Sequence, residues 1–207
     1  MQSESRQAHW QNVYTTKDEI GVSWFQENPK PSLELMAEVE ASPASAIIDI
    51  GGGASRLVDH LVDRGYQNLT VLDLSGAALD AAKTRLGGLA ASVQWIVADV
   101  TVWEPPKAYD IWHDRAAFHF LTEHDDRAAY VVRVTRALKA GGYAIIATFA
   151  PNGPEQCSGL PVVRYDADAL GQVLGPAFEL VHTRRHAYAT PLGSVQSFQF
   201  SVFRRRR

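Results

Sequence analysis

Apolar runs of strand length alternate along this chain with segments of helical period, and that alternation constrains the fold more than any other feature. A strand, a helix and a second strand in repetition build parallel βαβ units, so the expected class is α/β. The first strand is Ala46–Ile50, rich in β-branched residues and closed by Gly51-Gly52-Gly53. A helix over 55–64 follows, with Leu57, Val58, Leu61 and Val62 on one stripe and Gly65 placed to end it. The second strand, 69–74, leads to Ser75, a good N-cap for a helix running to Gly87-Gly88. Strands at 93–98 and 109–113 come next, separated by the rigid Pro105-Pro106 turn. A longer helix at 125–138 is expected to stop at Gly141-Gly142, which opens a fifth strand at 143–149, apolar on both faces as a central parallel strand should be. After an irregular loop and a helix at 166–174, two alternating segments, 178–188 and 194–203, flank the short turn Thr190-Pro191-Leu192-Gly193 and should pair antiparallel.

Residues 1–45 stand outside this alternation. His9-Trp10, Tyr14, Trp24-Phe25, Pro29 and Pro31 read as an aromatic-bearing arm, followed by a helix near 32–39. Two parts are therefore expected: an arm over 1–45, acting as a lid on the open sheet edge, and a ligand-binding domain over 46–207. No apolar stretch approaches the roughly 20 residues of a membrane helix, and the polar start lacks a secretory core, so the expected location is cytoplasmic, away from membranes. Cys157 is the single cysteine, which excludes an internal disulfide and a CxxC metal or redox pair. Twenty Lys and Arg against 23 Asp and Glu give a formal charge of −3, no global reason to bind nucleic acid; Arg204 to Arg207 read as a solvated tail.

In an open parallel sheet the ligand sits at the carboxyl ends of the strands. There the chain places Asp49 with the glycine turn Gly51, Gly52, Gly53, then Asp73-Leu74 after the second strand and Asp99-Val100 after the third. The glycines let the backbone approach a ligand closely. Asp73 lies twenty residues past Gly53, the spacing at which an acid accepts hydrogen bonds from ribose hydroxyls. Asp99 either accepts from an exocyclic amine such as that of adenine or is a turn residue. A dinucleotide fingerprint would need glycine at position 56, where Arg56 would obstruct close packing of helix on strand, so NAD fits poorly.

On this pattern (the acid and glycine turn, the acids after strands two and three, the Gly-Gly before strand five, the closing hairpin), the chain resembles the class I S-adenosylmethionine-dependent methyltransferases over about residues 45–203. The resemblance implies a Rossmann-like three-layer sandwich, a seven-stranded mostly parallel sheet of order 3-2-1-4-5-7-6 with a C-terminal antiparallel hairpin, and S-adenosylmethionine as cofactor. It places Asp49, Gly51, Gly52, Gly53, Asp73, Leu74, Asp99 and Val100 around that cofactor. Ser55 departs from it, where the family often has a third glycine. A narrower likeness, to the thiopurine methyltransferase group, rests on the aromatic arm and on Asp114-Arg115 after strand four.

The expected activity is methyl transfer to a small-molecule acceptor, a thiol by the narrower likeness. Protein lysine methylation is the runner-up; an NAD(P)-linked oxidoreductase and a noncatalytic binder are the other classes. A hydroxyl or ammonium acceptor would need a base, for which His113, Asp114 and His119 are the candidates. Trp24, Arg115 and Cys157 are candidates for substrate binding: Arg115 either holds a substrate carboxylate or pairs with Asp114, and Cys157 is either a small packing residue or a functional thiol. His113, Asp114, His119, His124 and Cys157 show no metal-ligand spacing, and no metal is expected.

Overall fold

The structure, a computed structural model, describes residues 3–17, 19–191 and 193–207, with the side chains of Ser3, Glu4 and Ile20 also left aside. Leu192, expected in the closing turn, lies outside the described residues. In chain order the elements are α1 (Ser3–Thr16), α2 (Lys30–Glu38), β1 (Ala46–Ile50), α3 (Leu57–Asp63), β2 (Asn68–Asp73), α4 (Gly76–Leu86), β3 (Val93–Val97), β4 (Tyr109–Arg115), α5 (His124–Ala137), β5 (Leu138–Phe149), α6 (Ala167–Leu174), β6 (Phe178–Ala189) and β7 (Val195–Arg205). A short ribbon pairs Gln156–Cys157 with Leu160–Pro161 between β5 and α6.

The main sheet has seven strands in the order β3-β2-β1-β4-β5-β7-β6. Strands β1 to β5 run parallel, β7 runs antiparallel to β5, and β6 and β7 form the closing hairpin. This is the order and polarity that the resemblance implied. Alternation of side chains across each strand divides the core in two. Ile48, Ile50, Trp112 and Ile146 face Tyr130 and Val134 of α5 and Leu170 and Leu174 of α6. Ile47, Ile111 and Ile145 face Leu57, Val58 and Leu61 of α3, Leu79 of α4, and Leu35 and Met36 of α2. Helix α2, although it precedes β1, is therefore part of the same core as the sheet.

Local chemistry sets the helix ends. The Ser75 hydroxyl accepts the N–H of Ala78, and Asp166 Oδ1 accepts that of Ala169, the N-cap bonds expected of Ser and Asp. Two expectations are corrected. Helix α5 ends at Ala137 and the chain passes directly into β5 at Leu138, so Gly141-Gly142 lies inside the strand and does not stop the helix. A β-carbon on Gly142 would sit 2.9 Å from the Asp110 carbonyl, so the glycine serves a close approach of β4 to β5, where the register also shifts. The arm, second, is itself helical over Ser3–Thr16. Its apolar residues Trp10, Val13 and Tyr14 fill a single turn, too little to show a helical stripe in the sequence.

Candidate active site

At the carboxyl ends of β1 to β4 a cavity opens beneath α1 and the segment joining α1 to α2. Its lining includes Asp49, Gly51, Gly52, Leu72, Asp73, Leu74, Asp99 and Val100, together with Trp10, Tyr14, Trp24, Arg115, Phe120, Phe149, Cys157 and Phe198. The turn after β1 needs its glycines. Gly51 and Gly53 have φ of +64° and +42°, and a β-carbon on Gly52 would stand 2.6 Å from Asp49 Oδ2 and 2.7 Å from Val71 Cγ1. Gly53 lies behind the wall rather than in it, with Asp73 Oδ2 and the Tyr14 hydroxyl crowding the place a side chain would take.

Parallel pairing brings Asp49 of β1 level with His113 of β4. Asp49 Oδ1 accepts from His113 Nδ1 at 2.7 Å, and His113 Nε2 meets the Ser32 hydroxyl of α2 at 2.9 Å, a buried chain of three side chains. Asp73 is 7% exposed, and its Oδ1 accepts the N–H of Ser75 at 2.8 Å. Burial pushes its carboxyl up to about 7, and the neighbouring Asp49 charge adds to the rise. Asp99 accepts from the backbone and hydroxyl of Thr101 through Oδ1, while Oδ2 holds the Arg6 guanidinium of α1 at 3.0 Å. Arg6 bonds Asp126 at the start of α5 as well.

Arg115, the last residue of β4, is the unusual group. Its Nη1 donates to the Trp24 carbonyl at 3.0 Å, whereas Nε and Nη2 are buried with no hydrogen-bond partner. The guanidinium lies over the rings of Phe198 and Tyr188, at 5.0 and 5.5 Å from their centroids. No carboxylate among the described residues pairs with it, and burial draws its pKa down to about 10. The other guanidinium groups of the lining, Arg6 and Arg56, both have carboxylate partners, Arg56 through Glu19.

The candidate bases are placed differently from expectation. Asp114 is fully buried on the far side of β4 and does not line the cavity: it accepts from the Tyr130 hydroxyl at 2.7 Å and from the N–H groups of Ala117 and Phe118. Those bonds tie β4 to α5 and the following turn, so Asp114 neither pairs with Arg115 nor reaches a ligand. His119 is also fully buried outside the lining; its Nδ1 accepts the N–H of Phe149. Burial first, and the Arg115 charge second, lower its pKa to about 3, which leaves it neutral. His113 does line the cavity, with both nitrogens engaged. Cys157 lines it as a protonated thiol, burial raising its pKa to about 11. No group of three His, Cys, Asp or Glu among the described residues could hold a metal ion. Arg6 and Ser32 contact the site without any signal in the sequence. Both lie in segments with no motif, and each reaches its acid or histidine across more than eighty residues of chain.

Fold and site together are those of a Rossmann-like α/β domain with a ligand cavity at the carboxyl ends of its parallel strands. Residues 47–142 match the family described as Methyltransferase domain. The chain is similar to the trans-aconitate 2-methyltransferases of Rhizobium etli, 28% identical over 80% of this chain and 60% of that protein. It is similar also to that of Acidovorax sp. (strain JS42), 31% identical over 64% of this chain and 48% of that protein. The chain thus spans about half to three fifths of these relatives' length. Among solved structures, the S-adenosylmethionine-dependent methyltransferase from Anabaena variabilis superposes with a TM-score of 0.78, at 14% identity, over 99% of this chain and 95% of that one; it shows the same fold. Among the described residues no helix is long and apolar enough to cross a membrane.

Proposed function

We propose that this chain transfers a methyl group from S-adenosylmethionine to a carboxylate oxygen of a small organic acid. The observation that carries the acceptor is Arg115, a buried guanidinium with two unpartnered nitrogens, set in an apolar cavity continuous with the glycine turn. A carboxylate matches a guanidinium fork in charge and geometry. It also needs no base, and none of the three candidates is available: His113 is engaged at both nitrogens, and Asp114 and His119 lie outside the lining. A thiol, the acceptor suggested by the narrower likeness, is mostly neutral near pH 7 and leaves Arg115 uncompensated. A lysine ammonium would meet the like charge of that guanidinium. The named substrate of the curated relatives, trans-aconitate, is itself a carboxylate, which supports the same reading.

The glycine turn and the three acids fit the donor. Gly51 and Gly52 present backbone to the cavity, and Asp49, 5% exposed and in its lining, suits an amino group. Asp73 suits the two hydroxyls of a ribose, and Asp99 with Val100 an adenine edge, with Leu74 on the apolar face of the base. When bound, the cofactor supplies an electrophilic methyl on a sulfonium. The chain's own contribution is alignment of the acceptor oxygen with that methyl, and exclusion of water by α1 and its aromatics.

The test is incubation of purified protein with methyl-labelled S-adenosylmethionine and a cell extract, then separation of label into small-molecule and macromolecular fractions. Label in base-labile small-molecule esters is the expected outcome. Label confined to protein, or stable to base, overturns the carboxylate reading.

A further inference from the structure

The cavity carries more information about the acceptor than its charge. Four acids line it, Glu19, Asp49, Asp73 and Asp99, against three guanidinium groups. Arg6 is held by Asp99 and Asp126, and Arg56 by Glu19, so Arg115 is the one lining cation without a carboxylate partner among the described residues. The walls around it are rings. Trp10 meets Trp24 edge-on at 5.6 Å and Phe120 at 5.0 Å, and Phe149 meets Phe198 at 4.9 Å beneath the guanidinium. A ligand carrying a second or third carboxylate would find no free cation for it. It would bring that charge into an apolar wall already facing ionisable acids, where an unpaired carboxylate loses its hydration with no return.

Resting on the carboxylate reading above, we propose that the acceptor is a monocarboxylic acid with a flat apolar body, its single carboxylate seated on Arg115 and its body against Trp10, Trp24, Phe120 and Phe149. The specificity then departs from that named for the curated relatives, whose substrate is a tricarboxylate. The reaction balances without a proton or a redox partner. A carboxylate oxygen forms the new O–CH3 bond as the S–CH3 bond breaks, the electron pair of that bond stays on sulfur, and sulfonium plus carboxylate become neutral thioether plus neutral methyl ester. Arg115 holds one carboxylate oxygen while the other attacks. The neutral ester has less hold on the guanidinium than the anion, which favours its release.

The experiment measures kcat/KM of the full chain with labelled S-adenosylmethionine for benzoate, phenylacetate and cinnamate against trans-aconitate and citrate, with thiophenol as a thiol control. In parallel, the Kd of S-adenosylhomocysteine is measured for wild type and Arg115→Gln. The expected result is at least a hundredfold preference for an aromatic monoacid, and in Arg115→Gln a KM for that acid raised ten- to hundredfold with the Kd of S-adenosylhomocysteine unchanged within twofold. Equal or faster transfer to trans-aconitate overturns the monoacid inference and leaves the carboxylate reading standing. Transfer to thiophenol and to none of the acids overturns both. A fall in affinity for S-adenosylhomocysteine in Arg115→Gln would assign the guanidinium to the donor's own carboxylate and also overturn the inference. The panel on wild type decides the specificity even where the variant fails to fold.

Discussion

Asp73 concentrates the cost of building this site. Its carboxyl is buried beside Asp49, and its pKa rises from the ordinary 3.8 to about 7. The unfolded chain gives up that proton near pH 4, so the stability contributed by the protonated form is complete below about pH 4 and is lost as the pH climbs through 7. Asp73→Asn cannot ionise. The excess stability of this variant over wild type, measured by urea unfolding of the unliganded protein, should therefore grow from about pH 4 to about pH 7 and level off above it. A constant difference would mean that Asp73 is not buried as described. Gly52 tests the turn. Gly52→Ala drives a β-carbon onto Asp49 Oδ2 and Val71, and should cost about 1 to 3 kcal/mol of stability by thermal or urea unfolding. Glycines, strand-end acids and Arg115 were legible as candidates because each sits at a position defined by local pattern: a strand, its last residue, a turn. The division of labour among Asp114, Arg115 and His113 was not. Whether a residue of β4 faces the cavity or α5 depends on pleat and on what packs opposite, and Tyr130, which claims Asp114, lies sixteen residues further on.

At the scale of elements, α1 is held over the sheet's carboxyl edge by polar side chains as well as by the single apolar turn of Trp10, Val13 and Tyr14. Arg6 bridges Asp99 and Asp126, Gln11 Oε1 accepts from the N–H of Ala77 and the hydroxyl of Ser75, and His9 reaches Ser158. Such a helix is invisible to periodicity, which is why only an aromatic arm could be read there; the same construction makes its docking separable from global folding. We propose that α1 is the lid of the cavity. Arg6→Met leaves Asp99 without its guanidinium, a loss of about 3 kcal/mol or more for a buried pair deprived of one partner. Amide exchange in residues 3–17 should then accelerate by about two orders of magnitude or more, while exchange in β1, β4 and β5 stays near wild type. Uniform acceleration would show instead that α1 is integral to the cooperative core.

At the scale of the molecule, one physical rule arranges everything above. Parallel strands leave their carboxyl ends open, the ends of β1, β2 and β3 bring one acid each, and the helices on either face fix their spacing. Seven strands and the hairpin were legible because β-branched and apolar runs alternate so regularly with helical stretches, whereas their order came from the family resemblance. The meeting of β4 with the arm was not, because it joins segments some eighty to ninety residues apart, through Arg115 with the Trp24 carbonyl and His113 with the Ser32 hydroxyl. The central claim is that this edge is built for S-adenosylmethionine. Calorimetric titration with S-adenosylhomocysteine, of wild type and of Asp73→Ala, tests it most directly. The account predicts saturable binding by wild type, weakened by about 1 to 3 kcal/mol in the variant through loss of the ribose hydrogen bonds, and no comparable binding of NADH. Tight binding of NADH with none of S-adenosylhomocysteine, or an affinity indifferent to Asp73→Ala, would contradict it.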